Sequence, residues 1–189
     1  PEIEILPAYY GIDKDLTKSE NWAGRKKLSD VAKYYEDNED IEADCLVGGY
    51  VHGNEPSHHV AYLYRLAGQP DKTSEIIRQI FDTQYKPKPD GLCGNDDCGQ
   101  MSAWYMLSAM GFYPVDPVGG RYVFGAPQMP KFTLHLTNGK TFTVEAENLS
   151  KENLYVKSVM LNGEPYDKDY IEHQDIVNGG HLVFIMGGK

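Results

Sequence analysis

An α+β fold is what this sequence predicts, with helical hairpins first and a small antiparallel β unit at the end. Three observations predict it. Apolar residues recur at helical spacing through the first 110 residues. After Pro127 the texture turns to period-two alternation. Gly, Pro and Asn-Gly pairs punctuate the chain between these runs. The expected division is therefore residues 1–127 for the helical part and residues 128–189 for the β unit.

The first periodic run spans Glu20 to Glu36, with Trp22, Ala23, Leu28, Val31, Ala32 and Tyr35 on one face, and the acidic loop Asp37 to Asp44 follows it. The next begins behind Pro56, whose fixed φ and missing N–H suit a first helical position, and runs from Val60 to Ala67, where Gly68 stops it. From Pro70 to Gln84, Ile76, Ile77, Ile80 and Phe81 share a side, and Lys86-Pro87-Lys88-Pro89-Asp90-Gly91 breaks the pattern. Met101 to Met110 is apolar nearly all round, which predicts an interior helix ending at Gly111. Short loops make these helices hairpins, the unit from which an α/α toroid is built. In the tail, Phe132 to Leu136 and Thr141 to Glu145 alternate around Asn138-Gly139, a hairpin signal. Leu154 to Leu161, ending at Asn162-Gly163, and His181 to Met186 read as two more strands.

Chemistry concentrates in two runs. His52-Gly53-Asn54-Glu55-Pro56-Ser57-His58-His59 places three imidazoles, a carboxylate and an amide at a helix start. Positions four apart share a helical face, which would set His58 beneath Asn54 and His59 beneath Glu55. Carboxylate, amide and carbonyl oxygens together suit a hard cation such as Ca²⁺. The plainer alternative is that Asn54 and Glu55 cap the helix and the histidines lie in a core. The second run, Asp90 to Gln100, is a Gly-punctuated loop with three acids, anchored by the apolar helix behind it. Its plainer alternative is that Asp96 and Asp97 compensate the helix dipole.

Several function classes are excluded. A formal charge of −10, from 28 acids against 18 Lys and Arg, speaks against nucleic acid, whose phosphates need clustered bases. No G-x-S-x-G elbow surrounds Ser57, and neither H-E-x-x-H nor a P-loop occurs. No apolar run is long enough to span a bilayer, so no transmembrane segment is expected. The chain starts at Pro1 without a signal peptide, and the expectation is a piece of a longer, exported (periplasmic or extracellular) polypeptide. Cys45, Cys93 and Cys98 lack zinc-framework spacing. Buried free thiols are expected, with a local Cys93 to Cys98 disulfide as the alternative in an oxidising compartment. Trp22 and Trp104 could stack on sugars, yet Trp104 sits in so apolar a helix that the core is the better place for it.

Taken in order, GGYVHGNEPSHHVAYLY and DGLCGNDDCGQMSAWYMLSAMGFYPV closely resemble the C-terminal part of family 92 glycoside hydrolases, the calcium-dependent exo-acting α-mannosidases. The resemblance is carried by Asp44 to Pro127 and continues more weakly to the end. It implies a sector of an (α/α)6 toroid followed by the β unit. It also implies an inverting, Ca²⁺-dependent hydrolase, α-1,2-mannosidase-like, acting on terminal α-mannosides of a mannose-containing glycan. Metal ligation then falls to Asn54 and Glu55 with the backbone at Gly53. The general base is implied at Asp97, with Asp96 or Asn95 as its neighbour at the water, and substrate binding at His52, His58, His59 and Asn95. The family's general acid, a Glu in an EGNAW-like stretch upstream of HGNEP, has no counterpart here; Glu20-Asn21-Trp22 is only a chance likeness, and no acid is assigned. The chain alone, with the rest of the parent polypeptide missing, is therefore expected not to turn over. The other class of function that these residues allow is a non-catalytic calcium and carbohydrate binding module.

Overall fold

The computed structural model describes residues 49–189 and, before them, the pairs Glu4–Ile5, Lys26–Lys27 and Leu46–Val47. Grouped by packing, the chain divides after Val51, and residue 127 lies within the second unit. In the first unit β1 (Glu4–Ile5) pairs antiparallel with β2 (Lys26–Lys27), and β3 (Leu46–Val47) with β4 (Tyr50–Val51). Lys26–Lys27 fall inside the run read as a helix from Glu20 to Glu36. Their backbone groups are taken up by a cross-strand ladder instead. The rest of that helix, the loop Asp37 to Asp44, Trp22 and Cys45 lie outside the described residues.

The second unit opens with a 3-10 turn, Glu55–Ser57, and three helices: α1 (Val60–Leu66), α2 (Pro70–Gln84) and α3 (Gln100–Met110). Gly68, at φ +76°, ends the α1 turn as its sequence position suggests. The α1–α2 hairpin is closed by Thr73, whose hydroxyl donates to the Ala61 carbonyl at 3.0 Å and accepts from the Arg65 N–H at 3.0 Å. Ile77 and Ile80 are buried from α2, while Ile76 and Phe81 are half-buried. α3 departs from the expected all-round burial. Met101, Trp104, Ser108, Ala109 and Met110 are inside, but Tyr105 and Met106 remain 39% and 51% exposed.

Strands start earlier than expected, at β5 (Phe112–Asp116) and β6 (Arg121–Phe124). Then follow β7 (Lys131–His135), β8 (Thr141–Glu147), β9 (Tyr155–Leu161), β10 (Glu164–Pro165), β11 (Tyr170–Glu172), the short helix α4 (His173–Val177) and β12 (Gly180–Gly187). The β7–β8 hairpin turns at Asn138-Gly139, with Gly139 at φ +79°. One sheet has the order β11-β6-β5 and the other β10-β9-β12-β8-β7. In the second, β12 runs parallel to β8 and antiparallel to β9, so the expected antiparallel unit is a mixed sheet. The two sheets share one core. Phe112, Phe124 and Ile171 come from the first, and Phe142, Val144, Ala146, Leu182, Phe184 and Met186 from alternate positions of β8 and β12. α1 is tied to the residue before β11 through Arg65, whose Nη1 meets Asp169 Oδ1 at 3.0 Å. Among the described residues no helix is long and apolar enough to cross a membrane.

Candidate active site

The two polar runs meet backbone to backbone. At Gly94 a β-carbon would lie 3.1 Å from Gly53 Cα, so a glycine at position 94 lets the loops come this close without a shift. One loop carries Asn54 and Glu55, the other Asn95, Asp96 and Asp97.

In the first loop, Asn54 sits at the N-cap of the 3-10 turn in extended conformation, and its side chain makes no cap hydrogen bond. Its carbonyl accepts from Ser57 Oγ at 2.6 Å and from the Ser57 N–H at 2.9 Å. Pro56 occupies a first-turn position, as expected. Because α-helix begins only at Val60, the expected stacking of His58 under Asn54 and His59 under Glu55 does not occur; the tighter 3-10 winding changes the register.

In the second loop the two aspartates part company. Asp96 is committed to the start of α3: its Oδ1 accepts from the Ser102 N–H at 2.9 Å and its Oδ2 from Ser102 Oγ at 3.1 Å. Ser102 is the third residue of that helix, so Asp96 satisfies a donor that the helix leaves open. Asp97 is exposed, and among the described residues its carboxylate has no hydrogen-bond partner. Its backbone is left-handed at φ 41°, followed by Cys98 at 60° and Gly99 at 94°. Two consecutive non-glycine residues in that region cost about 1–3 kcal/mol each, and such strain concentrates at functional sites. Asn95 is exposed beside them. Cys93 is a buried thiol and Cys98 an exposed one, with no disulfide between them.

Beneath the loops lies a buried polar cluster. His52 and His58 are 0% and 1% exposed, stacked with ring centroids 4.9 Å apart, and His52 and Trp104 meet edge to face with centroids 4.3 Å apart. His58 Nε2–H donates to the His52 carbonyl at 2.9 Å. Its Nδ1 is then the acceptor, and Gln100 Nε2 donates to it at 3.2 Å and to the Tyr113 hydroxyl at 3.0 Å. Trp104 Nε1–H donates to the His58 carbonyl at 3.1 Å. The Tyr85 hydroxyl donates to the Met101 carbonyl at 3.3 Å, so His52 Nε2 carries the hydrogen shared with Tyr85 at 2.7 Å. Burial, and then repulsion from His58, pulls the His52 pKa down to about 3. Burial also lowers that of His58, against the opposing effect of its bond to the His52 backbone. Both rings are neutral supports. Of the three histidines expected to touch substrate, only the half-buried His59 keeps any exposure. Tyr85, Gln100 and Tyr113 carry no motif of their own; only the place of Gln100 at the end of the GNDDCGQ run could have marked it.

For a metal, the oxygens at hand are the Asn54 amide, the Glu55 carboxylate and loop carbonyls. No cluster of three or more His, Cys, Asp or Glu suited to a metal occurs among the described residues. Ca²⁺ does not require one, since its roughly six to eight ligands include carbonyls, amides and water. Oxygen donors of this kind suit a hard cation rather than zinc. A separate cleft of about 410 Å³ lies between the turn Lys86 to Gly91 and α3, with Tyr85, Tyr105 and Met106 on its walls. No acid lines it, so it offers no hydrolytic carboxylate.

Paired loops that bring carboxylate and amide groups to the head of a packed helix are parts a glycoside hydrolase would use. The model of the glycosyl hydrolase family 92 catalytic domain matches residues 20–188. The chain belongs to that family. It is similar to a family 92 α-mannosidase of Bacteroides thetaiotaomicron at 49% identity, with TM-score 0.74, over 77% of this chain and 20% of that one. With that enzyme in complex with mannoimidazole the similarity reaches 98% of this chain and 24% of that one, at 42% identity and TM-score 0.75. An inverting family 92 mannosidase of the same bacterium is 42% identical, with TM-score 0.69, over 75% of this chain and 19% of that one. A protein of Arthroderma benhamiae described as a secreted glycosidase is 32% identical over 138 residues, 71% of this chain and 18% of that protein. The chain thus spans about a fifth of the length of these relatives.

Proposed function

We propose that this segment supplies the water-activating base and part of a Ca²⁺ site to an inverting exo-α-mannosidase that trims terminal α-mannosides from glycans. The observation that carries the reading is the approach of Gly94 to Gly53, which sets the Asp97 loop against the Asn54–Glu55 loop. An inverting hydrolase needs a carboxylate to activate water on one face of the sugar and an acid on the other, roughly 6.5 to 9.5 Å away. Asp97 is exposed, in a strained turn at the head of a packed helix, and would take a proton from water. Asp96 fixes that turn to α3. Asn54, Glu55 and the carbonyl of Gly53 would hold Ca²⁺, and His59 and Asn95 are the remaining candidates to touch the glycan. When bound, the ion would supply a grip on vicinal sugar hydroxyls and electrostatic support for an oxocarbenium-like ring. The acid is supplied from elsewhere in the protein. The secreted relative favours an exported enzyme.

The test is proton NMR of the sugar released by the full-length protein from an aryl α-mannoside, with Ca²⁺ and after exhaustive chelation. Initial release of β-mannose, lost on chelation and restored by Ca²⁺, is expected. Retention, or full activity without the ion, contradicts the mechanism; binding of mannose without turnover would make this a carbohydrate-binding module.

A further inference from the structure

Gln100 touches both loops of the candidate site, and nothing in the activity proposed above uses it. Its backbone N–H donates to the Asp97 carbonyl at 3.4 Å, and its side-chain amide donates to His58 Nδ1 at 3.2 Å. The His58 N–H in turn donates to the Glu55 carbonyl at 3.0 Å. An unbroken series of hydrogen bonds thus runs from Glu55 through His58 and Gln100 to Asp97. The polarity of the series is set by chemistry. The His52 carbonyl can only accept, which puts the hydrogen on His58 Nε2 and leaves Nδ1 open to the amide of Gln100. Trp104, by donating to the His58 carbonyl, and Tyr113, by receiving the second amide hydrogen, keep either end from rotating away.

We propose that Gln100 is a positioning residue, a tie that sets the distance between the Asp97 loop and the Asn54–Glu55 loop through the Nδ1 atom of His58. This rests on the reading of those loops as one catalytic site. Glycine-on-glycine contact prevents the loops from coming closer, whereas this bond prevents them from drifting apart. Leu, Met or Glu at position 100 would preserve a good helix start, but none could donate two hydrogens.

The experiment uses Gln100→Leu, His58→Phe and the double variant in the full-length protein, with Gln100→Met in place of the leucine variant if that does not fold. Hydrogen exchange by mass spectrometry is the activity-independent readout. Faster exchange at residues 54–59 in Gln100→Leu is expected, although the substitution lies over forty positions away; acceleration confined to the start of α3 would overturn the tie. In steady-state kinetics on an aryl α-mannoside, kcat should fall about tenfold to a hundredfold, the scale set by ångström misplacement of a reacting group. KM should change less than threefold. The double variant should lose no more kcat than the worse single one, because both break one link. Multiplying effects, or a kcat within twofold of the parent for Gln100→Leu, would overturn the proposal. If the parent itself lacks mannosidase activity, the mannosidase reading fails and the exchange result still decides the tie.

Discussion

Gly94→Ala is the sharpest probe of the way the two loops meet. Ordinary van der Waals contact begins at 3.4 Å, and the new methyl would stand 3.1 Å from Gly53 Cα, with the Gly53 carbonyl oxygen at 3.4 Å. The backbones must therefore part by about 0.3 Å or more, and backbone cannot swing aside as a flexible side chain can. Overpacking of this kind costs about 1–3 kcal/mol. That lowers Tm, by less in the full-length protein than the few degrees expected of a chain of this size. The same separation moves Asp97 against Asn54 and Glu55, and kcat/KM should drop by about tenfold. Differential scanning fluorimetry and aryl mannoside kinetics on the full-length protein read both quantities. Gly68→Ala is the control, since Gly68 also has positive φ, at +76°, but meets nothing within 4 Å; it should cost stability without cost to kcat/KM. If Gly94→Ala melts early yet retains kcat/KM within twofold, the loops do not act together and the reasoning fails.

Glu55→Gln should raise the Ca²⁺ concentration for half-maximal activity by about tenfold or more, seen in Ca²⁺ titrations of chelated protein; an unchanged titration removes Glu55 from the metal. Asp96→Ala should destabilise α3 by about 0.5–2 kcal/mol, as loss of a helix cap does, measured by urea unfolding. Acid should destabilise the protein in a window set by His52. Its folded pKa lies near 3 and its unfolded value near 6.5, so the unfolded state binds the extra proton, and stability that is complete above 6.5 is lost as pH falls towards 3. Carboxylates titrate below about 4.5. Between those values unfolding free energy should fall by up to about 1.4 kcal/mol per pH unit for this histidine, and a flat profile there would contradict its burial as a neutral ring.

The helices were legible because each is bracketed by local chemistry: Pro56 and Gly68, Pro70 and the Lys86 to Gly91 turn, Gly99 and Gly111. The hairpin at Asn138-Gly139 was legible for the same reason. The place of β12 was not. Its alternation announces a strand, but insertion between β8 and β9, parallel to one and antiparallel to the other, depends on a crossover through β10, β11 and α4 that no local pattern encodes. β5 and β6 escaped notice because Pro114 and Gly119-Gly120 interrupt their alternation. Residue types marked the two loops that meet, but not the division of labour within them. Asp96 and Asp97 are equivalent as letters; only the reach of Asp96 to Ser102 separates a cap from an open carboxylate. His52 and His58 were candidates for substrate contact with a place in the core as the alternative, and it is their burial beside Trp104 and Tyr85 that marks them as supports. Gln100 and Tyr113 carry no charge and sit in apolar elements, so their polar pairing appears only when α3 and β5 fold against the first loop.

Asp97→Asn in the full-length protein keeps size and loop geometry while removing the proton acceptor. A fall in kcat of about 10² to 10⁴-fold on aryl α-mannoside, with KM and Ca²⁺ affinity nearly unchanged, is the predicted result. Activity within tenfold of the parent would show that water is activated by some other group, and the site built around these two loops would not be the catalytic one.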